Sequence, residues 1–496
     1  MSALLALGLD AFDLLRFRKL LAEGKLPHLA CLLERAALHE LEMEWPGVPS
    51  DPWRSFVLDH PYEVHGCLYN KRWNPERLSW EFASLYAGGR RPFWERARAR
   101  GLRVAVVDVP HAPDPSEDPA EVAIAGWQRH DAGPVGVWPP QLAAELGPPP
   151  GLGPEPYGHL TPNDLLEVKE RCLAACEQAG ALVARLVRRR MADVYLVAFG
   201  AAHRAGHYLW DPLLWERVGL WPKGAGAPFV SALDEVYQAL DRAVGRILDE
   251  APADARTLVF ALHGMGAEVP WNDLFDRLLA LVTGGRPGDG GSGSGRLTRL
   301  RRSRAAFWLA RWLPRRVQEH FAALLGRWSR DWQRTRCFAL PSEGYGAVRV
   351  NLMGRERYGC VRPGPAYEEL LAELAEGFLG LRELESGEPV VAAVHRVDRL
   401  ARDGPGRRSL PDLVVTWREG VGLGSRGVRT ADGRTLAFDR PLVPHSRRSG
   451  AHRPHGFLLA EDRILAAGSG LRQLRSTRDL PRLIRALAGM EDRIPD

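Results

Sequence analysis

The sequence predicts an α/β fold in which a mostly parallel central sheet carries helices on both faces. The first observation is a set of short apolar runs rich in branched side chains, at 4–10, 103–110, 194–200 and 257–264. The second is that long stretches with helical periodicity separate these runs. Strands that are apolar along their whole length are typical of parallel sheets buried on both faces.

Polar residues stand at the ends of these predicted strands. Asp10 ends the first run, His203 follows the third, and His263 lies at the end of the fourth. In open α/β sheets, ligands bind beyond the carboxyl ends of the strands because loops and helix N-termini lie there. A single histidine in such a place is most often a core or loop residue, whereas several at the same end of different strands indicate a functional site.

Two of the candidate residues are spaced for one helix face. His203 and His207 are four residues apart in AHRAGHYLW, so a helical turn places both rings on the same side. Such a pair alone is more typical of a solvated helix face. Imidazole is, however, the commonest metal ligand, and His452 in SGAHRPHGF offers another. Together with the strand-end residues, these histidines predict a metal site.

Two local predictions concern structure rather than chemistry. A helix should begin near Thr161, because threonine is a favourable N-cap and Pro162 suits the first helical position. In RVNLMGRE, the charged residues Arg349, Arg355 and Glu356 are expected to form a structural ion pair.

Eight blocks of sequence along nearly the whole chain resemble one known family. The blocks are 8–36, 49–66, 202–211, 232–248, 258–266, 348–359, 410–417 and 449–460. In these blocks the chain is similar to the type I phosphodiesterase/nucleotide pyrophosphatase family of the alkaline phosphatase superfamily, and the blocks occur in that family's order. The resemblance implies an alkaline phosphatase-like α/β fold with an inserted helical cap segment, and hydrolysis of phosphate esters with two metal ions, usually zinc.

The resemblance assigns metal ligands residue by residue. Asp10 and His263 match ligands of the family's second metal, and His207 and His452 match ligands of its first. His203 stands where an aspartate is common. The aspartate that should precede His263 is replaced by leucine.

The nucleophile block also departs from the family pattern. The family's Thr-Gly reads Leu58-Asp59 here, and Pro49 falls at the ungapped place of the nucleophile. Ser50, one residue later, is therefore the candidate nucleophile. Asp51 and Asp59 could replace a missing carboxylate, although each is more typical of a loop or turn.

These substitutions change the charge balance of the site. Carboxylates normally offset the repulsion between two divalent cations, and the chain lacks two of them. The second zinc or manganese ion, at Asp10 and His263, should therefore be weakly bound or absent. Three neutral imidazoles, His203, His207 and His452, should hold one zinc ion firmly, in a site of the type that lowers the pKa of bound water towards ~7.

The substrate is expected to be a small anionic ester. Lys71 and Arg72 follow HGCLYN, where a substrate loop would run, although a solvated basic turn is the alternative. The net charge of +6 and the isoelectric point near 9.1 suit an anion, but the charge is too diffuse to indicate a nucleic-acid partner. No heptad pattern indicates an oligomeric state.

The predicted domain organisation is a core interrupted by an insertion. Residues 1–283 form the first part of the core, and residues 337–496 form the second part, with a small subdomain at 361–450. Between them, 284–336 is a Gly- and Ser-rich linker followed by an Arg-rich segment with interleaved aromatic residues. We expect one or two amphipathic helices at 296–336 that cap the site, and contact with an anionic membrane surface is the alternative.

The location is predicted to be cytoplasmic. The start MSALLALGLD lacks a charged region before its short apolar run, which is needed as a strand, so neither a signal peptide nor a membrane anchor is expected. The six cysteines show no C-x-x-C spacing, and Cys172 and Cys176 are expected to pack within a helix rather than bind metal.

The leading prediction is a metal-dependent phosphodiesterase or nucleotide pyrophosphatase-like hydrolase with a depleted second metal site. Two alternatives use the same residues differently. One is a catalytically inactive binding module that keeps the fold, since the nucleophile block is altered. The other is a transferase that passes a phosphoryl or sulfuryl group to an acceptor other than water.

Overall fold

The computed structural model describes residues 3–49, 51–68, 72–81, 90–128, 135–156, 160–285, 331–444, 447–461, 464 and 474–490. The strands of these residues are β1 (Leu4–Leu9), β2 (Ala37–Glu42), β3 (Arg72–Asn74), β4 (Ser79–Glu81), β5 (Val104–Val107), β6 (Val122–Ala125), β7 (Gly136–Trp138), β8 (Val194–Phe199), β9 (Arg256–Ala261), β10 (Gly264–Ala267), β11 (Cys337–Leu340), β12 (Tyr345–Val350), β13 (Arg382–Glu383), β14 (Val391–Arg396), β15 (Leu413–Trp417), β16 (Gly427–Arg429), β17 (Thr435–Ala437), β18 (Gly450–Arg453) and β19 (His455–Ala460).

The α-helices of the same residues are α1 (Leu14–Ala22), α2 (Pro27–Leu33), α3 (Pro52–Leu58), α4 (Tyr62–His65), α5 (Glu95–Arg98), α6 (Pro140–Leu146), α7 (Pro162–Arg188), α8 (Ala201–Leu209), α9 (Leu214–Arg217), α10 (Ala232–Asp249), α11 (Phe275–Val282), α12 (Pro365–Leu379), α13 (Val397–Leu400) and α14 (Leu480–Ala488). The chain divides into two compact units. The first comprises 1–61, 85–268 and 446–496, and the second comprises 62–84 and 269–445.

An eight-stranded sheet forms the centre of the first unit. Its strand order is β2-β19-β9-β1-β8-β5-β6-β7. The five strands from β9 to β6 run parallel to one another, β19 and β7 run antiparallel to them, and β2 is antiparallel to β19. The four strands expected from the apolar runs are β1, β5, β8 and β9, and the prediction of a mostly parallel sheet is confirmed.

The central strands are buried on both faces, which explains their continuous apolar sequence. On one face, Leu4 and Ala6 of β1 join a hydrophobic cluster that includes residues of helices α3 and α14. On the other face, Leu5 and Leu7 are fully buried as well. Helices α7, α8 and α10 of this unit pack against one another.

Helix α7 begins where the sequence predicts. Its N-cap is Thr161, whose Oγ1 accepts a hydrogen bond from the backbone N–H of Asp164 at 3.3 Å, while the Asp164 carboxylate accepts from the backbone N–H of Thr161 at 2.6 Å. This reciprocal capping box satisfies two backbone donors that a helix start leaves unpaired. On the same helix, Cys172 and Cys176 are fully buried, as expected of packing residues.

A four-stranded antiparallel sheet organises the second unit. Its order is β11-β12-β15-β14, and two smaller sheets accompany it. The predicted ion pair lies on β12 and the turn after it: Arg349 contacts Glu356 at 2.7 Å, and Arg355 makes a two-pronged contact with Asp412 at 2.7 Å. Because Arg349 and Glu356 are fully buried, these partners keep their charges hydrogen-bonded within the core.

Candidate metal centre

Helix α8 of the first unit carries two of the predicted ligands. It begins directly after strand β8, and both His203 and His207 are buried on it. Their spacing of four residues places the rings on one face, with centroids 4.9 Å apart. The start of helix α8 therefore places this histidine pair at the carboxyl end of strand β8.

A pair of antiparallel strands brings His452 to the same place. Strand β10 begins one residue after His263, and β18 pairs with it so that His452 lies opposite Met265. The ring of His452 lies with its centroid 4.7 Å from that of His203 and 5.1 Å from that of His207. The strand pairing thus joins residues that are far apart in the chain.

The Nε2 atoms of these three rings converge. Nε2 of His203 lies 3.1 Å from Nε2 of His207 and 2.7 Å from Nε2 of His452. A zinc ion held tetrahedrally at ~2.0–2.1 Å would separate its nitrogen ligands by roughly 3.3 Å. Among the described residues, this is the one group of three histidine, cysteine or acidic side chains whose ligand atoms come close enough to hold a metal ion, all within 4.8 Å.

Hydrogen bonds at Nδ1 determine which ring nitrogen carries the proton. Nδ1 of His207 lies 2.8 Å from the carbonyl oxygen of Gly450, which can only accept, so this Nδ1 is the donor. Nδ1 of His203 likewise donates to Oδ2 of Asp10 at 2.6 Å. A neutral ring that donates from Nδ1 presents an unshared electron pair at Nε2. Since two such pairs face each other here, the donor set fits a cation between them.

Desolvation favours the neutral form of the remaining imidazoles. His452 is partly exposed as a residue, but its Nε2 faces the ring of His203. Desolvation lowers the pKa of His452 well below the usual range, and repulsion from His263 and His203 lowers it further. Burial also lowers the pKa of His263, although attraction to Asp10 opposes this effect. Neutral imidazole is the form that binds a metal ion.

Asp10 and His263 lie beside the three converging rings. Asp10 follows strand β1, is 2% exposed, and accepts a hydrogen bond at Oδ1 from Nε1 of Trp53 at 2.7 Å. Nε2 of His263 lies 3.5 Å from the same Oδ1, and its ring stacks on that of His452 with centroids 4.5 Å apart. Burial raises the pKa of Asp10, but attraction to His203 outweighs it, so the net pKa is lowered and the carboxylate is charged.

The structure therefore brings all five predicted metal-site residues together. They are Asp10, His203, His207, His263 and His452. Three of them face one point through Nε2, whereas Asp10 and His263 stand outside that group. Their assignment to a second cation stays a prediction.

Leu262 occupies the position where the resemblance places an aspartate ligand. Its side chain is 1% exposed and belongs to the hydrophobic cluster that also contains Trp53, Phe56 and Phe260. The position that would supply a carboxylate is thus part of the apolar core.

A second acid–histidine pair in the same unit was missed by the sequence analysis. Oδ2 of Asp51 lies 2.6 Å from Nε2 of His111 and 3.3 Å from Nε of Arg54. Burial raises the pKa of Asp51, but these two partners hold it well below its usual range. Asp51 also caps helix α3 by accepting from the backbone N–H of Trp53 at 3.2 Å. The available signal was the position of His111 just after strand β5.

The other residues predicted from the sequence lie outside this group of five. Ser50 and Lys71 lie outside the described residues, as does most of the insertion, 286–330. Arg72 opens strand β3 of the second unit, opposite Glu81. Asp59 ends helix α3 and pairs with Arg485 at 2.6 Å. The roles of Ser50, Lys71 and Arg72 stay predictions.

Contact of 296–336 with a membrane surface stays an untested alternative, because most of that segment lies outside the described residues. None of the helices in the described part of the chain combines the length and the apolar character needed to cross a bilayer.

Comparison with known proteins addresses the resemblance. A family model described as type I phosphodiesterase/nucleotide pyrophosphatase matches residues 4–425. No curated protein matches the chain.

Among solved structures, the chain is similar to phosphonoacetate hydrolase from Sinorhizobium meliloti 1021, in complex with phosphonoformate or with phosphonoacetate. In both cases the identity is 16%, the TM-score is 0.50, and the match covers 99% of this chain and 95% of that chain. It is also similar to murine ectonucleotide pyrophosphatase/phosphodiesterase 5, with 11% identity and a TM-score of 0.41 over 99% of this chain and 95% of that chain. The likeness to the hydrolase shows the fold, and the predicted alkaline phosphatase-like class is confirmed.

Proposed function

We propose, from the premise that this chain belongs to the type I phosphodiesterase/nucleotide pyrophosphatase family, that it is a metal-dependent hydrolase of phosphate esters with one firmly bound zinc ion. The observation that carries the proposal is the convergence of three Nε2 atoms, from His203, His207 and His452. A phosphodiesterase or nucleotide pyrophosphatase-like activity is the form that the family membership favours.

These three imidazoles would hold the metal ion. When bound, zinc would supply a Lewis acid that offsets charge on a phosphoryl oxygen and lowers the pKa of a water molecule. The chain contributes the orientation of the ligands: Asp10 holds the ring of His203 through Nδ1, and the Gly450 carbonyl holds the ring of His207. Such partners keep Nε2 aimed at the ion and fix the tautomer that can bind it.

The charge at the centre supports one ion rather than two. Close to the rings, Asp10 supplies a carboxylate, whereas Leu262 supplies none and His203 replaces a common aspartate. A second divalent cation would add repulsion that these side chains do not offset. We therefore propose that a second zinc or manganese ion binds weakly or not at all.

The proposed substrate is a small anionic ester. A net charge of +6 favours the approach of anions in general. Lys71, Arg72 and Ser50 keep their proposed roles, the first two as contacts for the anionic group and Ser50 as the nucleophile.

Zinc content and hydrolysis test the proposal together. The purified protein should contain about one zinc ion per chain, and it should hydrolyse at least one of three probes: nitrophenyl phosphate, bis-nitrophenyl phosphate or a nucleotide nitrophenyl ester. His203→Ala and His452→Ala should bind zinc much more weakly and lose the activity. His395→Ala is the control, because His395 lies on β14 of the second unit, outside the centre.

A wild-type protein that binds no zinc and hydrolyses none of these probes with added zinc or manganese would overturn the proposal. Product analysis with an added alcohol acceptor separates hydrolysis from group transfer. Release of inorganic phosphate or nucleotide without a transferred product is the result expected of a hydrolase.

A further inference from the structure

Asp10 is held in a way that differs from a direct metal ligand. We propose that it is a positioning residue, which fixes the ring of His203 and does not bind a second metal ion. This inference rests on the proposed function, because it assumes one ion held by His203, His207 and His452. It gives Asp10, whose carboxylate contacts His203, a different role from the one that the family resemblance assigns.

Both oxygens of Asp10 are already engaged within the protein. Oδ2 accepts from Nδ1 of His203 at 2.6 Å, and Oδ1 accepts from Nε1 of Trp53 at 2.7 Å. The residue is 2% exposed, so water cannot easily replace either partner. A carboxylate that takes the outer N–H of a histidine while the inner nitrogen faces a metal ion is a recurrent arrangement, and it raises the basicity of the ligand.

The indole of Trp53 fixes the carboxylate in turn. Its ring lies over strand β1, where a Cβ atom at Gly8 would come within 2.9 Å of the indole. The absence of a side chain at Gly8 therefore lets the indole reach Asp10 from helix α3. Trp53, Asp10 and His203 form a chain of hydrogen bonds that ends at the converging Nε2 atoms.

Few ligands remain for a second ion. Nε2 of His263 lies 3.5 Å from Oδ1 of Asp10, a separation that two ligands of one ion can have, but that Oδ1 already accepts from Trp53. Leu262 beside His263 is buried in the apolar cluster and supplies no carboxylate. Asp51, another carboxylate near His263, is paired with His111 and Arg54. A second cation would have to displace these contacts and would meet too little negative charge.

Zinc affinity in a double-mutant cycle tests the proposal. We would measure zinc stoichiometry by elemental analysis, and affinity by competition with a chromophoric chelator, for the full-length protein and its variants. Asp10→Asn removes the charge with little change of shape. If Asp10 acts through His203, this change should lower the affinity for the one ion about 10- to 100-fold. In a His203→Ala background, the same change should have almost no further effect.

One control and one further variant guard against a purely structural effect. Asp254→Asn changes an exposed aspartate of the same unit and should leave zinc affinity unchanged. Trp53→Phe keeps the Asp10 carboxylate but removes the indole N–H that donates to it, so this variant should weaken zinc binding several-fold. It tests the inference independently if Asp10→Asn fails to fold. In the zinc-loaded wild-type protein, the Nδ1 proton of His203 should give a strongly downfield NMR signal that moves upfield in Asp10→Asn.

The alternatives give distinguishable results. Two zinc ions per wild-type chain, one of them lost in Asp10→Asn with the other unaffected, would overturn the inference. An Asp10→Asn effect that persists in full in the His203→Ala background would overturn it too, while leaving the one-metal hydrolase in place. A wild-type protein without zinc would instead overturn the proposed function itself.

Discussion

Gly450 lies against the backbone of Gly206, so closely that a Cβ atom at position 450 would stand 2.1 Å from the Gly206 carbonyl oxygen. This contact joins strand β18 to helix α8, and the neighbouring backbone N–H of Ser449 donates to the carbonyl oxygen of His207 at 2.7 Å. The distance between His207 and His452 therefore depends on the absence of a side chain at position 450.

Gly450→Ala should separate the strand from the helix. Because a buried Cβ has no space here, we expect a loss of about 1–3 kcal/mol in the free energy of unfolding. Zinc affinity should fall by about tenfold or more, because the carbonyl that orients His207 moves. Chelator competition measures the affinity. The matched control is Gly136→Ala, where the nearest atom to a new Cβ lies 3.8 Å away, and an equal effect of both changes would contradict this prediction.

Asp118 should make stability fall as the pH rises. Its Oδ2 is buried and has no hydrogen-bond partner among the described residues, and burial raises the pKa from 3.8 to about 6. The native state then holds this proton more tightly than the unfolded chain. The stabilising contribution is fully present below pH 3.8 and is lost as the pH rises to about 6, a change of roughly 3 kcal/mol.

Asp118→Asn should remove this pH dependence, because the amide cannot ionise. Urea unfolding of both proteins at several pH values between 4 and 7 should show the variant gaining on the wild type as the pH rises. A constant difference across that range would show that Asp118 does not hold a proton in the native state.

Removing one partner of the buried ion pair on β12 should be strongly destabilising. Arg349→Met leaves the Glu356 carboxylate buried with fewer partners, and we expect a loss of about 3–5 kcal/mol in the free energy of unfolding. Arg349→Lys should recover only part of it, since an ammonium cannot reproduce the several contacts of a guanidinium. Arg334→Met is the control, because the side chain of Arg334 is 89% exposed. Similar unfolding midpoints for the changes at 349 and 334 would contradict the prediction.

Thiol reactivity should separate the cysteines by burial. Cys31 is exposed, whereas Cys172 is fully buried and burial raises its pKa to about 12. Brief treatment of the native protein with a maleimide should modify Cys31 and leave Cys172 and Cys176 unmodified until the chain is unfolded. Peptide mass spectrometry locates the label, and early labelling of Cys172 would contradict the burial of its side chain on helix α7.

The central strands were predictable because burial on both faces leaves a direct trace in the sequence. The run at 194–200, for instance, became strand Val194–Phe199. The edge strand Ala37–Glu42 was not predicted, because its sequence ALHELE is only partly buried and mixes charged with apolar residues. Its pairing with β19 is antiparallel and joins distant parts of the chain, so no local pattern indicates it.

The candidate site was predictable where its geometry is local. The spacing of His203 and His207 fixes their shared helix face, and the position of Asp10 at a strand end brings it near them. The hydrogen bond between Asp10 and His203 was not predictable, because it depends on which ring nitrogen faces the carboxylate, and tertiary packing across 193 positions decides that. The pair of Asp51 and His111 was missed for the same reason.

The burial of Leu262 would make the proposed departure from a two-metal centre difficult to reverse. Replacing this leucine with aspartate would restore the ligand type but would place a charge in an apolar cluster built from Trp53, Phe56 and Phe260. Further substitutions that open a polar pocket in this core would be needed before the new carboxylate could bind a metal ion.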